Sequence, residues 1–264
     1  MSHLLEARNL DKRFGAVTAA ADISVTVAPD SVIGLIGTNG AGKTTFVNMV
    51  TGYLKPDKGR IYFEGRDITA LHPRQVTRLG ICRSFQIPQL YNSLSAYDNL
   101  IVALGIVLRN AKPAPWARAP RLVPGHDLPL ADAAEALLER FDLGEFRDKP
   151  AGVLPEGVRK LLDIAMALAN KPRVLLLDEP TSGVSSEEKF AIMDRVMSAV
   201  RAEGAAVLFV EHDMDIVARY AGRVLAFYEG RILADGAPDV VLADPQVREY
   251  VIGGQAEPKE VSHA

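Results

Sequence analysis

The chain has 264 residues, 48% of them hydrophobic and 24% charged, enough apolar material for one large globular unit or two closely packed subdomains, which argues against disorder. A formal net charge of -3 and a pI near 6.0 give the surface no overall attraction for nucleic acid or anionic lipid. The single cysteine, Cys82, excludes an intramolecular disulfide and lies in Gly80-Ile81-Cys82-Arg83, which reads as part of a buried strand.

In chain order, Ile23, Val25 and Val27 alternate with polar residues before a turn at Pro29-Asp30, the pattern of antiparallel sheet. Ser31 to Ile36 is nearly all apolar, as a strand covered on both faces should be, and leads through a glycine loop into a helix from Lys43 to about Val50, stopped near Gly52. Arg60 to Phe63 and Arg66 to Ile68, joined at Glu64-Gly65, predict a hairpin, and Arg74 to Leu79 a short helix.

From about Asn92 to Ala169 the pattern is mainly helical, including Ala131 to Phe141 and Arg159 to Asn170. The longest uncharged apolar stretch, Asn99 to Leu108, is about half of what a membrane-crossing helix needs, and the N-terminus lacks a secretory apolar region. The chain is therefore expected to stay in the cytoplasm, with other polypeptides supplying any membrane part. Arg109 to Pro129 carries Pro113, Pro115, Pro120, Pro124 and Pro129 with Trp116 and reads as a surface loop, either a connector or a contact for a partner subunit. Apolar strands return at Val174-Leu177 and Ala206-Val210, each followed by helix-compatible sequence, the rhythm of a parallel sheet. Arg223 to Tyr228 and Arg231 to Leu233 suggest a last hairpin, and a loose polar tail follows Gly254.

Gly37-Thr38-Asn39-Gly40-Ala41-Gly42-Lys43-Thr44 fits G-x-x-x-x-G-K-[ST] between a strand and a helix, the context that a phosphate loop requires. Glycines let successive N–H groups converge on a phosphate where the helix N-terminus already favours an anion. Lys43 would reach the β- and γ-phosphates of ATP, Thr44 would ligate Mg2+, and Thr45 would be a second phosphate donor. Asp178 and Glu179 end the strand begun at Val174, Asp178 placed for Mg2+ and Glu179 as general base toward the attacking water. These two elements define a P-loop NTPase without its subclass. Ser84-Phe85-Gln86 and Glu211-His212-Asp213 each close a strand; alone, Gln86 and His212 would be ordinary polar residues, but their order and strand contexts narrow the choice.

With these segments the chain resembles the ABC ATPase family from about Leu4 to Gly253. The resemblance implies an α/β P-loop core with a parallel sheet, an antiparallel β subdomain and an α-helical subdomain: about 1–86 and 166–253 for the nucleotide-binding core, about 87–165 for the helical part with the signature loop, and 254–264 as tail. It makes Gly37 to Thr45 Walker A, Gln86 the Q-loop residue near Mg2+ or the attacking water, Val174 to Glu179 Walker B and His212 the switch histidine. Phe14 falls where the family stacks an aromatic ring on adenine; a core role is its rival.

Two segments depart from the family. Where Leu-Ser-Gly-Gly-Gln is usual, reaching across a head-to-tail dimer to the partner's γ-phosphate, this chain has Leu154-Pro155-Glu156-Gly157-Val158, and only Gly157 keeps its expected type. Pro155 has neither hydroxyl nor N–H, and Glu156 brings a negative charge. Ser185 stands where the D-loop aspartate is usual. Both changes lie on the trans-acting edge and predict an asymmetric dimer in which this chain's own Walker motifs work with a partner's intact signature.

Within the family, Leu35 to Phe46, Thr51 to Pro56, Arg83 to Gln86, Glu211 to Met214, Asp235 to Asp239 and Asp244 to Tyr250 resemble the ATPase subunits of branched-chain amino-acid importers, related systems of which carry amides or urea. That resemblance implies a second ATPase subunit in a hetero- or homodimer, permease subunits, a solute-binding protein outside the membrane, no nucleic acid, and a place on the cytoplasmic face of the inner membrane. The rivals are a non-transport ABC ATPase, disfavoured by one phosphate loop and only about 135 residues between Lys43 and Asp178, and a module that binds ATP without splitting it, disfavoured by Glu179 and His212.

Overall fold

Strand β1 (Leu5–Phe14) pairs antiparallel with β2 (Val17–Val27), setting Leu5, Ala7 and Leu10 opposite Val27, Val25 and Ile23, all of them buried. The computed structural model of the chain describes residues 3–110 and 122–253. After β3 (Val32–Gly37) and helix α1 (Lys43–Val50), strand β4 (Lys58–Phe63) returns to the other side of β1 and carries the short β5 (Arg66–Asp67), giving a four-stranded sheet ordered β2-β1-β4-β5. Helix α2 (Pro73–Arg78) leads to β6 (Ile81–Arg83), and α3 (Ala96–Asn110) begins the helical region.

Two-residue strands β7 (Leu122–Val123) and β8 (Leu128–Pro129) precede α4 (Leu130–Arg140) and α5 (Glu156–Leu168). The chain then alternates β9 (Val174–Asp178), α6 (Lys189–Glu203), β10 (Ala206–Val210) and α7 (Met214–Tyr220), before the hairpin β11 (Arg223–Tyr228) and β12 (Arg231–Gly236) and helix α8 (Pro238–Ala243). The second sheet has the order β12-β11-β3-β10-β9-β6, with every neighbouring pair parallel except β11 and β12.

The uninterrupted apolar strands follow from burial on both faces. Val174, Leu176, Ala206, Leu208 and Val210 point into the core shared with α1 and the antiparallel sheet, whereas Leu175, Leu177, Val207 and Phe209 point into the core beneath α3 to α7. One strand period therefore serves two cores.

The span Arg109 to Pro129 is not simply a surface loop. Asn110 still belongs to α3, and the segment after 121 folds back as the β7–β8 hairpin, with Val123 fully buried and the His126 Nε2 2.9 Å from the Ala169 carbonyl. The prolines at 113, 115 and 120, Trp116 and the tail expected after Gly254 lie outside the described residues. Helix α5 starts three residues before the Arg159 expected from sequence, because Pro155 at its N-cap holds a φ of -54° suited to helix entry. Strand β12 extends beyond Leu233 to Gly236, its added residues paired with β11 through Leu225 and Val224.

Cys82 is 5% exposed, accepts a hydrogen bond from the Asn170 side-chain amide at 3.4 Å, and has its pKa pushed up by burial to about 11. The expected result is that iodoacetamide at pH 8 leaves Cys82 unmodified in the folded protein and labels it in guanidinium, as read by mass spectrometry.

Candidate active site

Strands β3, β10, β9 and β6 are parallel neighbours, so the residues following their carboxyl ends meet along one edge of the sheet. Gly37 to Gly42 follow β3, Glu211 and His212 follow β10, Asp178 and Glu179 close β9, and Ser84 to Gln86 follow β6. Topology alone thus brings together four segments separated by up to about 170 residues of chain.

The phosphate loop turns through Gly40 and Gly42 with φ of 81° and 107°, in the left-handed region. At Gly42 a Cβ would also approach the Ala19 carbonyl to 2.7 Å, so a side chain has no room there. Lys43, Thr44 and Thr45 form the first turn of α1, whose N–H groups have no intrahelical partner. Thr44 is exposed and Thr45 half-buried.

Lys43 is 6% exposed, and its ammonium donates to the carbonyls of Gly37 at 2.5 Å and Thr38 at 3.0 Å. Burial pushes its pKa down, while the nearby Glu179 and Asp178 carboxylates favour the charged form. A buried cation folded over a glycine loop is a preformed partner for an anion.

Glu179 is gripped at both carboxylate oxygens. Gln86 Nε2 donates to Oε2 at 2.8 Å, and His212 Nε2 lies 3.1 Å from Oε1. Its backbone has a φ of 49°, an uncommon conformation for a non-glycine residue and one that concentrates at functional sites. Three bonds hold that backbone: the Glu179 N–H donates to the Val210 carbonyl at 3.0 Å, and the Glu179 carbonyl accepts from the Lys160 ammonium at 2.7 Å and from the Ser182 N–H at 3.1 Å. Next to it, the Glu211 carboxylate is buried and accepts from the Thr181 N–H at 2.9 Å and hydroxyl at 2.7 Å; burial pushes its pKa up.

Asp178 forms an ion pair with Arg83 at 2.5 Å, the two side chains being 12% and 8% exposed. Arg83 also donates to the Asn48 side chain on α1 at 2.6 Å, tying β6, β9 and the phosphate-loop helix into one unit. Among the described residues, no group of three or more His, Cys, Asp or Glu is arranged to hold a metal ion. The Thr44 hydroxyl and the Asp178 carboxylate are nonetheless hard oxygen donors, which fits a largely hydrated Mg2+ shared with phosphate oxygens better than a closed protein cage.

Phe14 is 52% exposed at the end of β1, with the Lys12 ammonium 5.8 Å from its ring centre, so the core alternative for this residue is overturned. Gly157 is not brought to the phosphate loop of its own chain. It lies in the first turn of α5 against Ile192 and Val184, with Pro155 and Glu156 exposed beside it. A Cβ on Gly183 would sit 3.6 Å from the Glu156 side chain, so the Leu154–Val158 loop and the Ser182–Ser185 segment form one continuous surface. Ser185 itself donates to Glu188 at 2.8 Å.

Sequence reasoning gave no role to Arg83, Lys160 or Asp163. For Lys160 and Asp163 the available signal was charge at helix positions flanked by Leu161, Leu162 and Ile164, where an exposed face would not be expected; Arg83, at the end of β6, offered no such pattern.

The family model for ABC transporters matches residues 20–182, more than half of the chain. A probable branched-chain amino acid transport ATP-binding protein LivG of Methanocaldococcus jannaschii is 34% identical, over 95% of this chain and 97% of that one. The lipopolysaccharide export system ATP-binding protein LptB of Acidithiobacillus ferridurans is 35% identical, over 97% and 99%. Among solved structures, a nucleotide-free ATP-binding cassette from an ABC transporter superposes with a TM-score of 0.80 at 32% identity, covering 94% of this chain and 98% of that chain. With a phosphate loop, a gripped carboxylate and strand order of this kind, and relatives matched over nearly their whole length, the chain belongs to the ABC transporter family as an ATP-hydrolysing, ATP-binding subunit.

Proposed function

We propose that this subunit powers import of branched-chain amino acids, or of related amides or urea, as one half of an ATP-bridged dimer beside permease subunits on the cytoplasmic face of the inner membrane. The observation that carries the catalytic part is Glu179, held at both oxygens by Gln86 and His212 on the edge that receives the phosphate loop.

In this reading the γ-phosphate draws Lys43 from the Gly37 and Thr38 carbonyls, and the N–H groups from Gly37 to Thr45 receive the phosphate oxygens. Phe14 offers its exposed ring to adenine. Glu179 takes the proton of the attacking water, and its hydrogen bonds to Gln86 and His212 aim the carboxylate. Thr44, Asp178 and Gln86 would hold Mg2+, which when bound would supply positive charge to offset that of the phosphates.

No described helix is long and apolar enough to cross a membrane; in this reading, force passes to the permease subunits. A groove of about 1080 Å³ lies beside the Gln86 segment, lined by Tyr53, Phe85 and Ile106 and rimmed by Arg74, Arg78 and Arg109. Its apolar floor and basic rim suit an amphipathic permease helix with acidic residues. Pro155 and Glu156, exposed at the start of α5, are poor ligands for a partner's γ-phosphate, so we assign the partner ATPase the intact signature that completes this chain's site. An importer is favoured by the several relatives named for branched-chain amino acids, although the lipopolysaccharide exporter is equally similar.

Co-purification after mild detergent extraction tests the assignment. The expected complex contains permease subunits and a second ATPase, and its ATP hydrolysis rises with a solute-binding protein loaded with leucine. No membrane partner would contradict transport, stimulation by lipopolysaccharide alone would contradict import, and full ATPase activity from this chain as a homodimer would contradict the asymmetric dimer.

A further inference from the structure

Two charged residues one turn apart on α5 are buried in an otherwise apolar helix face: Lys160 is 4% exposed and Asp163 7%. A buried ion costs several kcal/mol unless hydrogen bonds replace its water, and both ions here spend their bonds on the catalytic edge. The Lys160 ammonium donates to the Glu179 carbonyl at 2.7 Å and the Ser182 hydroxyl at 2.6 Å. Asp163 accepts from the Phe85 N–H at 3.2 Å through one oxygen and from the Gln89 N–H at 2.9 Å through the other.

Phe85 and Gln89 bracket Gln86, whose side chain meets the Glu179 carboxylate. One helix face therefore holds Glu179 through its own carbonyl and the Gln86 segment through the flanking N–H groups of Phe85 and Gln89, in neither case through the reacting atoms. An apolar residue at either position would keep the helix buried but would release one of the two segments.

We infer that Lys160 and Asp163 are positioning residues for ATP hydrolysis, a strut on α5 that sets the distance between Gln86 and Glu179, so that a shift of α5 moves both groups as one. This rests on the reading of Gln86 and Glu179 as parts of the hydrolytic machinery. The strut also gives the departures at Leu154 to Val158 a local consequence, because they sit at the N-terminal end of the same helix.

The test uses the full chain assembled with its partner subunits, carrying Asp163→Asn, Lys160→Met, Gln86→Ala and the pairs that combine Gln86→Ala with each. Asp163→Asn and Lys160→Met are each expected to lower kcat by about 10²-fold, the scale of a misplacement of roughly 1 Å, with KM for ATP within about twofold of wild type. Combined with Gln86→Ala, Asp163→Asn should add little further loss, since both act through one contact. Wild-type kcat in both single variants, or full additivity of Asp163→Asn with Gln86→Ala, would overturn the inference. Should the variants not fold, amide exchange in the wild-type chain decides: slow exchange at Phe85 and Gln89 is expected, and free exchange there would overturn it. A wild-type assembly that neither binds nor splits ATP would instead remove the functional reading on which the strut depends.

Discussion

Glu179→Gln is expected to leave Mg-ATP uptake intact and to slow turnover by about 10²- to 10⁴-fold, the usual contribution of a positioned general base. The amide keeps the volume and can still accept from Gln86 through its oxygen, but it cannot take a proton from water. The strained φ of 49° belongs to the backbone and is held by Val210, Lys160 and Ser182, so the substitution leaves that geometry in place. Single-turnover kinetics with labelled ATP and a separate binding titration would separate the two effects. Wild-type turnover in the variant would remove Glu179 from the base role.

Lys43→Ala is expected to weaken ATP binding by at least about 3 kcal/mol, on the order of 10²-fold, because it deletes a buried cation held over the loop. The loss has two sources. The phosphates lose a charge-assisted donor, and the carbonyls of Gly37 and Thr38, which the ammonium now ties together, are left to spread the loop. Replacement by Arg should not restore binding, since a planar guanidinium presents its donors in a fixed fork rather than from the single point at which the ammonium meets both carbonyls. Equilibrium dialysis with ATP and Mg2+ measures the change, and unchanged affinity in the Ala variant would contradict the loop's role.

The parts of the site legible in sequence share one property: their geometry is local. Gly37 to Thr45 is contiguous, and a strand followed by glycines followed by a helix admits few backbone paths. Gln86 and His212, ordinary polar residues if taken alone, were singled out by their order with Asp178 and by the family resemblance, and parallel strands do deliver these carboxyl ends to one edge. The continuous runs at Val174 and Ala206 read correctly as strands of a parallel sheet, and the run at Ser31 as one covered on both faces.

What sequence could not carry is pairing across the fold. The partner of Arg83 lies 95 residues away at Asp178, and the amides that Asp163 accepts lie 74 and 78 residues away; neither spacing follows any periodicity. Periodicity marks a position as apolar-facing but does not say that a charge found there has donors waiting. The β7–β8 hairpin escaped because its strands have two residues each and Pro129 ends one of them, so no alternation exists to be read. The exposure of Phe14 depends on where β1 leaves the sheet, which its neighbours in sequence do not determine.

Isothermal titration of the full-length chain with ATP in the presence of Mg2+ addresses the central claim most directly, since every later step requires the loop at the end of β3 to hold nucleotide phosphates. One saturable site per chain is predicted, weakened on the order of 10²-fold by Lys43→Ala and unchanged by Glu179→Gln. A folded wild-type protein that takes up no ATP at millimolar concentration, or one that binds equally well without Lys43, would contradict it.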